Sequence, residues 1–338
     1  MSSMEEKIRE ISKDNRMLLE VKLVPSQGSR FQPTGFPEIG AATFENPDGK
    51  RMLIIESAQS MANRMESTIV KENSPEIIDE FKGLSYIVVH LKSEDGFESE
   101  TSSLIEAHRI NSPYITSDKN FVDKLRELAN YKEGVYPNWE KIGNALFHFD
   151  INSLIHGAFM SNIGGRFRVP RALSAFVEGE DVKEALSGGA KLSDIDPGGK
   201  YKVKDGISTK SSYSNVPYPK MEYTAKEIKA YFNLDISLLK SYNLSVDETN
   251  LTIALSLFKI RETLENKLKL RTACDFKMDT KDNEFMTKFD RTELVEYIKQ
   301  LISRTQNNMV LTELQANLIK SNDNKENNNK ENPDSDEE

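Results

Sequence analysis

Apolar and polar residues alternate from Met17 to Val24 (MLLEVKLV), with Leu19, Val21 and Leu23 on one side and Glu20 and Lys22 on the other. A period of two is that of a strand buried on one face, and Pro25 ends it. The Gly- and Pro-punctuated segment 25–42 predicts a long loop, and RMLIIE at 51–56 a second strand. Ser57 can cap a following helix whose Ala58, Met61, Ala62 and Met65 share one face, opposite Gln59, Asn63, Arg64 and Glu66. The run LSYIVVHL (84–91) predicts a buried strand. Phe121, Val122, Leu125, Leu128 and Ala129 keep helical spacing over 119–131, and a short helix follows Pro137, from Asn138 towards Phe147.

The middle of the chain reads differently. Residues 151–178 mix β-branched and aromatic residues around Gly164-Gly165, which predicts strands joined by a tight turn. Residues 187–220 have little hydrophobic periodicity and predict a long exposed loop or an extended hairpin. A strand near 228–236, a helix at about 246–267 started by Ser245 or Asp247, a strand near 269–278 and a helix from Arg291 to Ser303 complete the chain. No internal repeat is visible. Mixed elements with short connections and one long insertion predict an α+β domain.

Length and composition narrow this further. The 338 residues are 37% hydrophobic and 29% charged, enough to bury a core in water. No apolar run approaches the roughly 18 residues that would cross a membrane, and MSSMEEKIRE has neither an apolar signal core nor an Arg-rich transit pattern. A cytoplasmic protein without membrane contact is expected. One cysteine and four histidines leave no thiolate cage for zinc, and no cofactor-binding loop is present, so no cofactor or metal is expected.

Net charge is −9, which at face value disfavours a polyanionic partner. The distribution reverses that impression. Residues 321–338 hold seven acids and two lysines, so this stretch carries −5 and the rest only −4. It is Asn-rich without one large apolar residue and is expected to be a disordered acidic tail after a single domain at 1–320. Residues 151–177 contain no Asp or Glu where about four would be expected by proportion, leaving Arg166, Arg168 and Arg171 unopposed. Residues 21–37 and 107–117 are also free of acids, and 197–220 carry five lysines against Asp205. Such segregation suits either an anion-binding track or buried segments.

Several groupings could carry chemistry. Arg30, Phe31 and Gln32 on a Gly/Pro loop offer a phosphate partner and a ring for stacking, against the plainer reading of a loop whose phenylalanines enter the core. Gln59, Ser60, Asn63 and Arg64 form a polar helix face that is either a set of donors to phosphate and sugar oxygens or simply solvated. His108, Arg109 and Asn111, and the segment from Asn152 to His156, offer histidines as general acids or bases, though a lone His is more often a structural hydrogen-bonder. In GGRFRVPR (164–171), a strand would place Arg166 and Arg168 on one side and Phe167 and Val169 on the other. That gives a cationic stripe, or an edge guarded by charge.

Taken together, RFQPTGFPEIGAA (30–42), IESAQSMANRME (55–66), HRINSPY (108–114), NSLIHGAFM (152–160) and GGRFRVPRALSAF (164–176) resemble the RAMP-type backbone subunit of type I-G (formerly I-U) CRISPR interference complexes, in the Cas seven family. The resemblance covers about residues 17–195. It implies an RNA-recognition-type (ferredoxin-like) palm with long insertions as thumb and finger regions, the basic insertion at about 187–220 being a candidate thumb or finger. It implies a non-catalytic protein whose copies stack along CRISPR RNA, beside other complex subunits, and leave bases free to pair with target DNA. The contacts it suggests are Arg30, Phe31, Gln32, Gln59, Ser60, Asn63, Arg64, His108, Arg109, Asn111, Arg166, Arg168 and Arg171. Two rivals stand beside it: a RAMP ribonuclease using His108 or His156, and a protein-only scaffold.

Overall fold

The structure, a computed structural model, describes residues 3–36, 40–161, 168–192, 215–279 and 284–319. The main elements in chain order are α1 (Met4–Ile11), β1 (Arg16–Pro25), β2 (Arg51–Glu56), α2 (Ala58–Glu66), β3 (Tyr86–Ser93), β4 (Glu98–Ser102), α3 (Lys119–Leu128), α4 (Trp139–Phe149) and α5 (Ile151–His156). They continue with β5 (Leu173–Glu180), β6 (Lys183–Leu192), β7 (Asn215–Thr224), β8 (Glu227–Asp235), α6 (Val246–Asn266), β9 (Cys274–Met278), α7 (Arg291–Thr305) and β10 (Leu311–Leu318). Shorter helices and ladders lie between them.

The main sheet has seven strands, all antiparallel, in the order 269–271, β9, β1, β8, β5, β2, 43–45. The register Val21↔Ala230 and Val177↔Ala230 aligns the apolar sides of β1, β8 and β5. Val21, Leu23, Ala175, Val177, Ala230, Phe232 and Leu234 are therefore buried together, while Leu18, Glu20 and Phe176 face out. Over the apolar side lies α6. Ser245 caps it, and Glu248 closes a capping box. It is buried nearly all round, including Thr252, Ser256 and Lys259, because α7 and α2 also pack on it.

A second sheet pairs β3 in parallel with β10 and antiparallel with β4. One contiguous core joins the two sheets, reaching from Met4 to Ala316. The helix α1 and the strand β10 were not foreseen. Met4, Ile8 and Ile11 are the stripe that anchors α1.

Residues 151–178 depart most from expectation. Their first six form α5 rather than a strand, because the Asp150 carboxylate accepts from the Asn152 and Ser153 amides and so caps a helix. Gly157 ends it at φ +78°, and a two-residue ladder pairs Ala158–Phe159 with Arg168–Val169. Of the two alternatives for 187–220, the hairpin is the one that forms: β6 and β7 pair from Lys183↔Thr224 to Leu192↔Asn215. Residues 193–214 between them, the Gly164-Gly165-Arg166-Phe167 group and the tail at 321–338 lie outside the described residues. Among those described, no helix is long and apolar enough to cross a membrane.

Candidate nucleic-acid interface

The last residue of β2, Glu56, is wholly buried and organises one side of the site. Its Oε1 accepts from Ser60 Oγ and, at 3.2 Å each, from Arg64 Nε and Nη2, while Oε2 accepts from Arg271 Nη2. Arg271 Nη1 also donates to the Gln32 carbonyl at 3.1 Å, and Arg64 Nη2 to the Leu270 carbonyl at 2.6 Å. The polar ends of Arg64 and Ser60 therefore turn inward, not towards solvent as their helix positions suggested. Arg64 thereby ties α2 to the strand 269–271, and Arg271 ties that strand to the loop bearing Gln32.

On that loop Phe31 is 1% exposed. Its ring meets Phe276 edge-on at 5.4 Å between centroids, and its backbone exchanges hydrogen bonds with Tyr223. The ring expected on the loop surface is a core ring. Arg30 remains 57% exposed, with Nη1 3.3 Å from Glu222.

Gln59 and Asn63 do face outward from α2, joined by a 2.9 Å bond from Gln59 Nε2 to Asn63 Oδ1. Arg171 reaches them from the start of β5: Nη2 donates to Gln59 Oε1 and Nη1 to the Ala58 carbonyl at 3.3 Å. Burial, and then the nearby Arg109 charge, hold its guanidinium below the ordinary arginine range.

Arg109 is an interior residue, which corrects its expected place at the surface. It adopts a left-handed φ of +52° and forks onto Glu66, with Nε to Oε1 at 2.6 Å and Nη2 to Oε2 at 2.8 Å. Its third donor, Nη1, holds the Gly157 carbonyl at 3.1 Å. Glu66 also accepts from Asn152 Nδ2 at 2.8 Å, and Asn152 Oδ1 accepts from Lys259 Nζ. Lys259 lies 3.1 Å from His156 Nε2. Burial, reinforced by the Lys259 charge, pushes the His156 imidazole well below its usual range, so a neutral ring accepts there. Its Nδ1 is buried with no hydrogen-bond partner among the described residues. Burial likewise lowers the Lys259 ammonium to about 7 and raises the Asp150 carboxyl to about 6. His156 is thus sealed from any substrate, whereas His108 is exposed.

Beyond Gly157, Asn111 is nearly buried and donates to Ser161 at 3.0 Å, while Arg168 is exposed with its guanidinium 4.9 Å from the centre of the Phe159 ring. Contacts thus run unbroken from Gln32 through Arg271 and Glu56 to α2, then through Gln59 to Arg171 and on to Gly157, Arg109 and the short ladder. Within that run, amides and guanidinium groups reach solvent at Gln59, Asn63, Arg168 and, partly, Arg171. Among the described residues neither arginine forms a salt bridge, and such groups are the equipment for gripping phosphates. Arg166 lies outside the described residues.

Sequence reasoning overlooked Glu56, Glu66, Arg271, Lys259 and Phe159. The first two bracket the polar helix face in IESAQSMANRME, and the lone lysine inside ALSLFKI signals a buried, partnered charge. Among the described residues no group of three or more His, Cys, Asp or Glu could hold a metal ion.

Residues 17–184 match the family described as CRISPR-associated protein GSU0053 (Cas_GSU0053). No curated protein matches the sequence. Among solved structures, a chain of a "CRISPR RNA-guided surveillance complex, pre-nicking" is similar at 10% identity and a TM-score of 0.41, covering 78% of this chain and 74% of that one. Csc2 of Thermofilum pendens is similar at 10% identity and a TM-score of 0.32, covering 87% and 86%.

Proposed function

Because the chain belongs, through residues 17–184, to the CRISPR-associated GSU0053 family, we propose that it is a non-catalytic backbone subunit of a type I interference complex, of subtype I-G. It binds CRISPR RNA along its ribose-phosphate chain, stacks beside further copies of itself and other subunits, and leaves the guide bases free to pair with target DNA. The observation that carries this reading is the connected run of outward amide and guanidinium donors, Gln59, Asn63, Arg171 and Arg168, inside the matched span.

The palm in this reading is the centre of the main sheet. Counting β1, β5, β8 and β9 as first to fourth, they lie side by side as fourth, first, third, second, with α2 between the first and second and α6 between the third and fourth. A β-α-β-β-α-β order of this kind is the ferredoxin-like arrangement. The hairpin of β6 and β7 would then be the thumb, and residues 1–320 one domain.

The test is a salt titration with single-stranded CRISPR RNA. Arg166→Ala with Arg168→Ala should weaken binding and flatten the plot of log affinity against log salt by about 1.4, at about 0.7 for each phosphate left without its arginine. Labelled precursor RNA in the same tubes should stay intact. An unchanged slope would remove the interface, and cleavage would make the protein a ribonuclease.

A further inference from the structure

A track of phosphate-gripping donors leaves open what happens to the bases of the strand it holds. Stacking was the role expected of Phe31, but that ring is in the core. Phe159, in contrast, is 46% exposed. It stands at the end of the donor run, opposite Arg168 in the two-residue ladder. The Arg168 guanidinium lies over the ring, 4.9 Å from its centroid, so one face of the ring already carries a cation and a base would use the other.

The ring is also held in place. Gly157, two residues before it, has its carbonyl bound by Arg109, and its left-handed φ allows a close approach: a β-carbon there would lie 2.6 Å from the Val169 carbonyl oxygen. Val169 is the ladder partner of Ala158, and Arg171 lies two residues further on, with its guanidinium against Gln59 of α2. The surrounding segment 151–177 carries no Asp or Glu to repel a polyanion. A half-exposed aromatic ring with a guanidinium over one face, fixed next to phosphate donors, has the chemistry of a base-stacking site, since every nucleobase offers a π-face whatever its sequence.

We infer that Phe159, with Arg168 against it, is a stacking platform for one unpaired nucleobase of the bound RNA strand. The inference rests on the RNA-binding reading above and adds to it a residue and a ligand group. Because the ring carries no charge, its contribution separates from that of the arginines. Removing it lowers affinity without changing the salt slope, whereas removing Arg168 changes both.

The experiment uses the full-length protein and an oligouridylate carrying one 2-aminopurine. Phe159→Leu should weaken binding by about five- to a hundredfold, the range for a single base stack. It should leave the salt slope unaltered and abolish the fluorescence quenching that stacking causes, while Phe159→Trp keeps both affinity and quenching. Independently of any variant, irradiation of the unaltered protein with 4-thiouridine-substituted RNA should give a cross-link at Phe159. Equal affinity and quenching for Phe159→Leu, or cross-links only elsewhere, would overturn the platform and leave the RNA-binding reading standing. Failure of the unaltered protein to bind RNA at all would overturn both.

Discussion

Lys259 shows how strongly one residue can report on the interior. Its ammonium is wholly buried in α6, and burial lowers it to about 7 from a usual value of about 10.4. Between those two values the unfolded chain holds the proton that the native chain has shed, so stability rises with pH across that window. Asp150 works in the opposite sense. Burial raises its carboxyl to about 6, so the stability linked to it is full below about pH 4 and is lost as pH passes 6. The two residues together place the least favourable balance near neutrality. Urea unfolding at a series of pH values checks the lysine. From pH 7 to about 10 the unfolding free energy of the unaltered protein should climb relative to Lys259→Met, by at most about 1.4 kcal/mol per pH unit. A difference that stays flat would mean that Lys259 titrates as an ordinary lysine.

At the scale of elements, the turn from α5 into the short ladder is tightly constrained. Gly157 combines φ +78° with a backbone oxygen 2.6 Å from where a β-carbon would sit. Gly28 is also left-handed, at φ +65°, but has nothing within 4 Å. Gly157→Ala should therefore cost clearly more than Gly28→Ala, about 1–3 kcal/mol beyond it, because strain and a backbone clash add. Equal losses in urea unfolding would show that the ladder moves freely away from α5. Elements with a strong period and a clear cap were legible in the sequence: β1 from its alternation, α2 from Ser57 and its methionines, α6 from Ser245. The turn at Gly157 was not. The residues of α5 have strand-like composition, and the Asp150 cap together with Lys259, which reaches Asn152 from α6, makes them a helix buried on every side, while Arg109 holds the Gly157 carbonyl just beyond it. β10 was missed for a similar reason. LTELQANL is half polar, and its place is set by parallel pairing to β3, more than two hundred residues earlier.

For the whole molecule, the charges fall into three populations that the sequence alone could not separate. Arg64, Arg109 and Arg271 neutralise buried Glu56 and Glu66 and belong to the fold. Arg168 and Arg171 lie along the outward run. Residues 321–338 contribute −5 of the −9 net charge. Acid-free stretches were visible as strings of letters, but which arginines meet an acid distant in sequence is a property of the folded chain. If RNA is steered to the donor run by the field of the whole protein, that terminal charge opposes it at long range. Deleting residues 321–338 leaves a net charge of −4 and removes none of the described core residues, the last of which are Leu314 and Ala316. The truncated protein should melt at the same temperature and associate with single-stranded RNA faster at low salt. The gain should fade as the screening length falls from about 10 Å at 0.1 M to about 3 Å at 1 M salt. Stopped-flow association rates over that range give the answer. Identical rates at low salt would mean that the acidic terminus does not act on the interface, and that the local charge of the donor run alone governs capture of the strand.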